Sequence, residues 1–334
     1  MRSVLLIGGE GYIGNIVSLN LLKEGYRVCS YDNLLYKNHN CVLNKIIHKN
    51  YNFIFGDILN KNLLEAEIIK ADAVVLLAGL VGDPITSAFP RAASLINDFG
   101  IKNVINLCSK HQIDKFIFIS TCSNYGLVKS DDTANEDFPL NPLSLYAKSK
   151  VKAEKYILSL KEKTKMHPTI LRFATAFGLS PRMRFDLTIN QFTRELANGN
   201  TLLVYDPMTW RPYCHVQDFS YLIQKVIEAP TKDSSFQVFN VGGRKNNATK
   251  QMIVDSVLKR FPNGKVKYVE KGSQARNYKV NFEKVNKTFG FEPKFSIEDG
   301  IDELIQLINN NVFDIVEQNL DFFGNYKINY EDLD

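Results

Sequence analysis

The sequence predicts an α/β protein in which a doubly wound parallel sheet carries a smaller, mixed α/β C-terminal domain. Short apolar, β-branched or aromatic runs recur along the first half of the chain, and helix-like segments separate them. Strands that alternate with helices are typical of a parallel sheet with both faces covered. A glycine-rich turn follows the first run, at the place where such sheets bind ligands.

The elements follow in order along the chain. The predicted strands are Val4–Ile7, Arg27–Tyr31, Asn52–Phe55, Ala73–Leu77, Lys115–Ser120 and Thr169–Phe173. The predicted helices are Ile13–Glu24, Leu63–Ile69, Pro90–His111 and Ser144–Lys163. Strand-like runs at Tyr213–Val216 and Phe236–Val241 are candidates to return to the sheet. We therefore expect one domain of residues 1–175 plus about 211–245, and a second of about 176–210 plus 246–334.

Composition excludes several classes of protein. The 334 residues are 45% hydrophobic, and 41 Lys and Arg against 36 Asp and Glu give a net charge of +5 without a block of like charges. This pattern argues against nucleic-acid binding. No signal peptide or membrane span is expected, and five widely spaced cysteines indicate a reducing cytoplasm. The five histidines have no carboxylate at ligand spacing, so no catalytic metal is predicted, and the polar tail from Asn325 to Asp334 is expected to be loose.

The glycine turn predicts a dinucleotide site. Glycines occupy the first, fourth and seventh positions of the turn as Gly8, Gly11 and Gly14. Gly8 allows a tight turn, Gly11 allows a pyrophosphate to approach the backbone, and Gly14 allows the helix to pack on the sheet. The Rossmann pattern is completed by Asp32 at the end of the second strand, which suits ribose hydroxyls and repels a 2′-phosphate, so NAD is favoured over NADP. The alternative is a plain strand-to-helix turn in which Asp32 caps a loop.

A tyrosine and a lysine one helical turn apart are the candidate catalytic pair. Tyr146 and Lys150 share a helix face, and a nearby ammonium stabilises phenolate, so Tyr146 can take a proton from an alcohol as hydride leaves. Thr121 follows the preceding strand and can orient the alcohol oxygen. The alternative is an exposed tyrosine beside a solvated lysine.

Together these residues resemble the extended short-chain dehydrogenase/reductase family, and within it the NAD-dependent nucleotide-sugar epimerases and dehydratases. The resemblance covers nearly the whole chain and implies further cofactor contacts, in addition to Tyr146 and Lys150, from Tyr12, Ile13, Asn33, Asp57, Ile58, Leu77, Ala78, Gly79 and Asn97. It also implies a homodimer formed through helices Pro90–His111 and Ser144–Lys163.

The resemblance also bears on the substrate. It implies contacts to a nucleotide-diphosphate sugar from Arg182, Asn190, Arg211 and Arg276. Cys122 and Ser123 are candidate auxiliary residues, but they stand where the sugar 4,6-dehydratases carry Asp and Glu, so dehydration is disfavoured. The strings at 80–84 and 180–186 are similar to those of bacterial GDP-manno-heptose 4-dehydrogenases of capsule synthesis, and also to those of uncharacterised sugar epimerases.

The expected activity is oxidation at carbon 4 of a nucleotide sugar through a 4-keto species, by an epimerase or a 4-dehydrogenase. Two alternatives remain at this point: a non-catalytic dinucleotide-binding regulator or scaffold, and a nucleotide-ketosugar reductase.

Overall fold

The computed structural model describes residues 2–129, 132–270, 276–328 and 330. Strands are β1 Ser3–Ile7, β2 Arg27–Asp32, β3 Tyr51–Phe55, β4 Ala73–Leu76, β5 Lys115–Thr121, β6 Thr133–Ala134, β7 Pro168–Phe173, β8 Thr175–Phe177, β9 Leu202–Tyr205, β10 Trp210–His215, β11 Gln237–Val241, β12 Asn247–Thr249, β13 Val266–Val269 and β14 Lys279–Val280. Helices are α1 Tyr12–Lys23, α2 His39–Leu43, α3 Lys61–Ile68, α4 Asp83–Ala88, α5 Pro90–Ala93, α6 Ile101–Lys110, α7 Leu145–Leu158, α8 Thr188–Ala197, α9 Val216–Glu228, α10 Thr231–Ser234, α11 Lys250–Leu258, α12 Glu283–Phe289 and α13 Ile297–Asn309.

A seven-stranded sheet forms the centre of the protein, in the order β11-β7-β5-β4-β1-β2-β3. All its neighbouring pairs are parallel, which confirms the predicted α/β fold class. The chain runs from β1 to β2 on one side and returns to β4 on the other, so the strand order reverses between β1 and β4. Such a reversal opens a crevice at the carboxyl ends of the strands, where parallel sheets bind ligands.

Hydrophobic side chains cover both faces of this sheet. In β1, Val4 and Leu6 belong to one buried cluster, whereas Leu5 and Ile7 belong to another on the opposite face. β5 is buried along its whole length. Continuous apolar strands of this kind are stable only between two layers of helices, which explains why the six predicted strands are correct to within one residue at each end.

One strand departs from the expectation. The run at Tyr213–Val216 was a candidate for the main sheet, but β10 lies in a separate sheet, parallel to β8 and antiparallel to β12. The chain has already left the main sheet when β8 begins, and β10 follows β8. Val216 is the first residue of helix α9 instead of a strand residue. Phe236–Val241 does return, since β11 pairs with β7.

The two long predicted helices also differ in detail. The first runs from α5 through a π-helical segment, Ser94–Gly100, into α6. The second, α7, begins after Ser144, whose side chain accepts a hydrogen bond from the Ala147 amide at 3.2 Å. It ends at Leu158, five residues before the predicted end, and the residues that follow form turns. Within the described residues, no helix combines the length and the apolar character needed to span a bilayer.

Candidate active site

A cavity of about 690 Å³ lies at the carboxyl edge of the main sheet. Most of the predicted site residues line it: Gly8, Gly11, Tyr12, Ile13, Gly14, Asp32, Asn33, Asp57, Ile58, Leu77, Ala78, Gly79, Thr121, Ser123, Tyr146, Lys150, Arg182, Arg211 and Arg276. Three predicted residues are buried outside its lining: Asn97, Cys122 and Asn190. The structure therefore gathers the cofactor motif, the Tyr–Lys pair and three distal arginines around one space.

The glycine turn fits a pyrophosphate. Gly8 has a φ of +84°, which favours glycine, and a Cβ on Gly14 would lie 2.6 Å from the Gly8 carbonyl oxygen. A Cβ on Gly11 would meet no described atom nearer than 3.4 Å, so this glycine leaves room on the cavity side. Helix α1 begins directly after Gly11 and has no side-chain cap, which leaves its first N–H groups available to an anion.

Asp32 caps the loop after β2 and also lines the cavity. Its Oδ1 accepts a hydrogen bond from the Leu34 amide at 2.8 Å and its Oδ2 accepts one from the Glu10 amide at 2.9 Å, so it fixes the turn after β2. The carboxyl group still lines the cavity, and each oxygen has a further lone pair for a ribose hydroxyl. Burial raises the pKa of Asp32 to about 6.

A buried ion pair beneath the glycine turn was not foreseen. Glu10, the third residue of the turn, is fully buried, and its carboxylate lies 2.8 Å from the Lys45 ammonium group. Ser30 donates to the same carboxylate at 2.7 Å, and Tyr51 donates to it at 2.6 Å. The network ties the segment after α2 and strand β3 to the cofactor turn. The only sequence signal was a charged residue among the glycines.

Asn97 supports the cavity indirectly. Its Oδ1 accepts a hydrogen bond from the Leu80 amide at 2.8 Å, and its Nδ2 donates to the Leu80 carbonyl at 2.9 Å. A side chain on Gly79 would collide with it, at 2.9 Å from Oδ1 to the added Cβ. Asn97 therefore clamps the loop after β4 and holds Ala78 and Gly79 against the cavity.

The Tyr146 and Lys150 side chains face each other across one turn of α7. The Lys150 ammonium nitrogen lies 5.9 Å from the centre of the Tyr146 ring and donates to the Ile119 carbonyl at 2.8 Å. Burial lowers the pKa of Lys150 to about 8, and burial raises the pKa of Tyr146 to about 12. Three contributions oppose this rise in the pKa of Tyr146, namely the positive charge of Arg184, a hydrogen bond with Thr121 and the positive charge of Arg276. The site thus places a phenol, an ammonium and a hydroxyl where a proton can move to or from a substrate alcohol.

The two residues after β5 face different surroundings. Ser123 faces the cavity and accepts a hydrogen bond from Arg276 at 3.0 Å. The Cys122 thiol points away from it and donates to the Arg172 carbonyl at 3.1 Å. Burial raises the pKa of Cys122 well above the ordinary value of a thiol, so it does not supply a proton to a substrate from this position.

Two of the predicted substrate arginines lie together. Arg276 forms an ion pair of 2.8 Å with Asp83, and Arg211 donates to the Arg276 carbonyl and to the Trp210 carbonyl. Asn190 has a different place: it accepts from the Gly178 amide at 3.0 Å and donates to the Tyr12 hydroxyl at 3.1 Å. The Asn190 side chain therefore makes its hydrogen bonds to other residues of the protein, and it does not line the cavity.

The C-terminal segment corrects the expectation of a loose tail. Asn325 donates to the Val81 carbonyl at 2.8 Å, and the Tyr330 hydroxyl donates to the Asp57 carboxylate at 2.7 Å. Tyr326 lines the cavity. Ile328 and Tyr330 pack against the apolar cluster that covers one face of the main sheet, and the polar composition of the segment did not predict this contact. Residues 329 and 331–334 lie outside the described residues.

Arg184 is a further site residue that the sequence did not single out. It pairs with Asp186, with 3.0 Å between Arg184 Nε and Asp186 Oδ1. Its positive charge partly offsets the rise that burial causes in the pKa of Tyr146. Among the described residues, no group of three or more His, Cys, Asp or Glu side chains is placed to hold a metal ion.

This fold and cavity define a Rossmann protein that binds a dinucleotide beside a Tyr–Lys pair. The model of the NAD dependent epimerase/dehydratase family matches residues 4–242, so the chain belongs to that family of NAD-dependent nucleotide-sugar epimerases and dehydratases. Its cofactor is NAD, as in solved relatives.

Three relatives illustrate the similarity. The low-salt glycan biosynthesis protein Agl12 of Haloferax volcanii is 28% identical over 311 residues, which cover 90% of this chain and 97% of the relative. The dTDP-glucose 4,6-dehydratase of Bacillus anthracis, solved with NAD, has a TM-score of 0.81 and 28% identity over 93% of this chain and 97% of that one. The UDP-glucuronic acid 4-epimerase of Bacillus cereus, solved with UDP-glucuronic acid and NAD, has a TM-score of 0.84 and 22% identity over 92% and 99% of the two chains, which shows the shared fold.

Proposed function

We propose that the protein oxidises carbon 4 of a nucleotide-diphosphate sugar to a 4-keto species, as an epimerase or a 4-dehydrogenase. The observation that carries the proposal is the shared cavity: Tyr146, Lys150 and Thr121 line the same space as the glycine turn. NAD bound on the turn would supply the hydride acceptor. Gly11 and the first N–H groups of α1 would hold its pyrophosphate, and Asp32 its adenosine ribose.

The protein's own groups carry the proton. Thr121 orients the oxygen of the sugar hydroxyl, and the phenolate of Tyr146 takes its proton as the carbon–hydrogen bond gives up a hydride. The phenolate must form although burial raises the pKa of Tyr146 to about 12. A neighbouring positive charge favours a phenolate, and the Lys150 ammonium nitrogen lies 5.9 Å from the centre of the Tyr146 ring. Water exclusion by the buried site strengthens that attraction.

The residues at the strand end favour simple oxidation over dehydration. Loss of water from a 4-ketosugar requires an acid and a base next to the ring, and Cys122 and Ser123 carry no carboxylate.

The substrate is proposed by class. Arg211 and Arg276 would bind its diphosphate, since a guanidinium can bond two phosphate oxygens at once. Occupation of Arg276 by phosphate would release Asp83 from its ion pair. We further propose a cytoplasmic homodimer with a dinucleotide domain of residues 1–175 plus about 211–245 and a sugar domain formed by the rest.

Replacement of Tyr146 by phenylalanine tests the function. The purified variant and native protein are incubated with a panel of UDP-, GDP-, CDP- and dTDP-sugars, heptoses included, while absorbance at 340 nm and the products are followed. We expect the variant to bind NAD normally and to lose about 100-fold or more of its turnover, the usual size of a general-base contribution. Near-full turnover in the variant would contradict the proposed base, and no conversion by the native protein would favour a non-catalytic dinucleotide-binding role.

A further inference from the structure

Arg182 differs from the other buried arginines of the protein. Arg172, Arg184 and Arg194 each form an ion pair, with Glu154, Asp186 and Glu317 respectively. Arg182 is 1% exposed and pairs with no carboxylate in the described part of the chain. A buried cation without a counter-charge is unfavourable unless an anion approaches it.

The guanidinium group of Arg182 has an N–H donor that makes no hydrogen bond in the described part of the chain. One nitrogen donates to the Gly324 carbonyl at 3.1 Å, and the group lies 4.3 Å from the centre of the Tyr36 ring. The buried Nε has no hydrogen-bond partner among the described residues, and the buried Tyr36 hydroxyl has none either. Burial lowers the pKa of Arg182 to about 10, which leaves it charged at neutral pH. Two unpartnered polar groups from different segments therefore lie together in one buried place.

That place is on the cofactor side of the cavity. Ser180, two residues before Arg182, donates to the carbonyl of Tyr12, the first residue of α1, at 2.7 Å. Tyr36 follows Asp32 in the loop after β2. The side chains of Tyr36 and Asp32 both line the cavity. Arg211 and Arg276 mark a different region, because Arg276 contacts Ser123 beside the catalytic groups.

We infer that Arg182, assisted by the Tyr36 hydroxyl, binds the pyrophosphate of the dinucleotide and not the diphosphate of the sugar substrate. The N–H groups of α1 would hold the pyrophosphate together with the guanidinium group of Arg182 from the distal segment. This assignment replaces the substrate role that the sequence suggested for Arg182. It also links the C-terminal segment to the cofactor, through the bond to the Gly324 carbonyl.

Isothermal titration with three probes tests the inference: ADP-ribose, adenosine and UDP. ADP-ribose carries the pyrophosphate, adenosine lacks it, and UDP reports on the sugar-nucleotide site. For Arg182→Met we expect the Kd of ADP-ribose to rise at least 10-fold, with adenosine and UDP changed less than twofold. Tyr36→Phe should give the same pattern with a smaller rise. Arg211→Met is the matched control and should weaken UDP only.

Two results would overturn the inference. One is a loss of UDP affinity with ADP-ribose unchanged, which would return Arg182 to the substrate site. The other is an equal loss for adenosine and ADP-ribose, which would mean that Arg182 only shapes the pocket. If circular dichroism shows that Arg182→Met does not fold, Arg182→Lys replaces it. That variant keeps the charge but lacks the fork, and it must still weaken ADP-ribose selectively.

Discussion

Replacement of Lys150 by methionine is expected to stabilise the folded protein at neutral pH while removing its turnover. Lys150 is 2% exposed, and burial lowers its pKa from 10.5 to about 8. One pKa unit corresponds to about 1.4 kcal/mol, so the buried charge costs about 3 kcal/mol at pH 7. Methionine fills a similar space without a charge.

The effect has a defined pH dependence. Above about pH 8 the folded protein releases the Lys150 proton, whereas the unfolded chain keeps it until about pH 10.4. The unfolded state then binds more protons, so the free energy of unfolding of the native protein rises with pH in this window. The stability difference between Lys150→Met and native protein should therefore shrink by about 3 kcal/mol between pH 7 and pH 10.5. The lost hydrogen bond to Ile119 adds only a constant offset.

Urea unfolding followed by circular dichroism at several pH values measures this difference. Lys148→Met is the matched control, because Lys148 lies on the same helix and is exposed. Its stability difference from the native protein should stay constant with pH. A constant difference for Lys150→Met as well would refute the reasoning, since it would mean that the folded state does not depress the pKa of Lys150.

Three further predictions concern the cofactor side. Glu10→Ala leaves the buried Lys45 without its partner and should destabilise the protein by about 3–5 kcal/mol in urea unfolding; adding Lys45→Met should recover much of the loss, and no recovery would exclude the charge as the cause. Gly14→Ala places a Cβ against the Gly8 carbonyl and should weaken NAD binding at least 10-fold by titration calorimetry, so unchanged affinity would contradict the described turn. Asp32→Ala should raise affinity for NADP relative to NAD by about 10-fold, as expected when a like charge is removed, and an unaltered ratio would assign the preference elsewhere.

The main sheet was predictable because its central strands β1, β4, β5 and β7 are buried on both faces. Their apolar runs are continuous, and few other structures accept such runs at that length. β10 shows the limit of this argument. Its last four residues are buried like those of a central strand, but β10 pairs with β8, because the chain leaves the main sheet after Phe173. No local pattern contains that information.

The cofactor turn and the Tyr–Lys pair were predictable because each lies within a few consecutive residues. The residues that hold these two motifs in place were not predictable. Glu10 meets Lys45 from another segment, and Tyr330 reaches Asp57 from the far end of the chain. Arg182 is a further example. Its residue type predicted that it binds an anion, but only its neighbours in the structure indicate that this anion is the pyrophosphate of the dinucleotide.

The most direct test follows the hydrogen on carbon 4 of the sugar. The protein is incubated with UDP-, GDP-, CDP- and dTDP-sugars that carry deuterium at this carbon, and the cofactor is extracted and analysed by mass spectrometry. Our account predicts that a converted sugar transfers its deuterium to the nicotinamide, transiently for an epimerase and stoichiometrically for a 4-dehydrogenase. Product formation with no deuterium on the cofactor, even in samples quenched during turnover, would contradict oxidation at carbon 4.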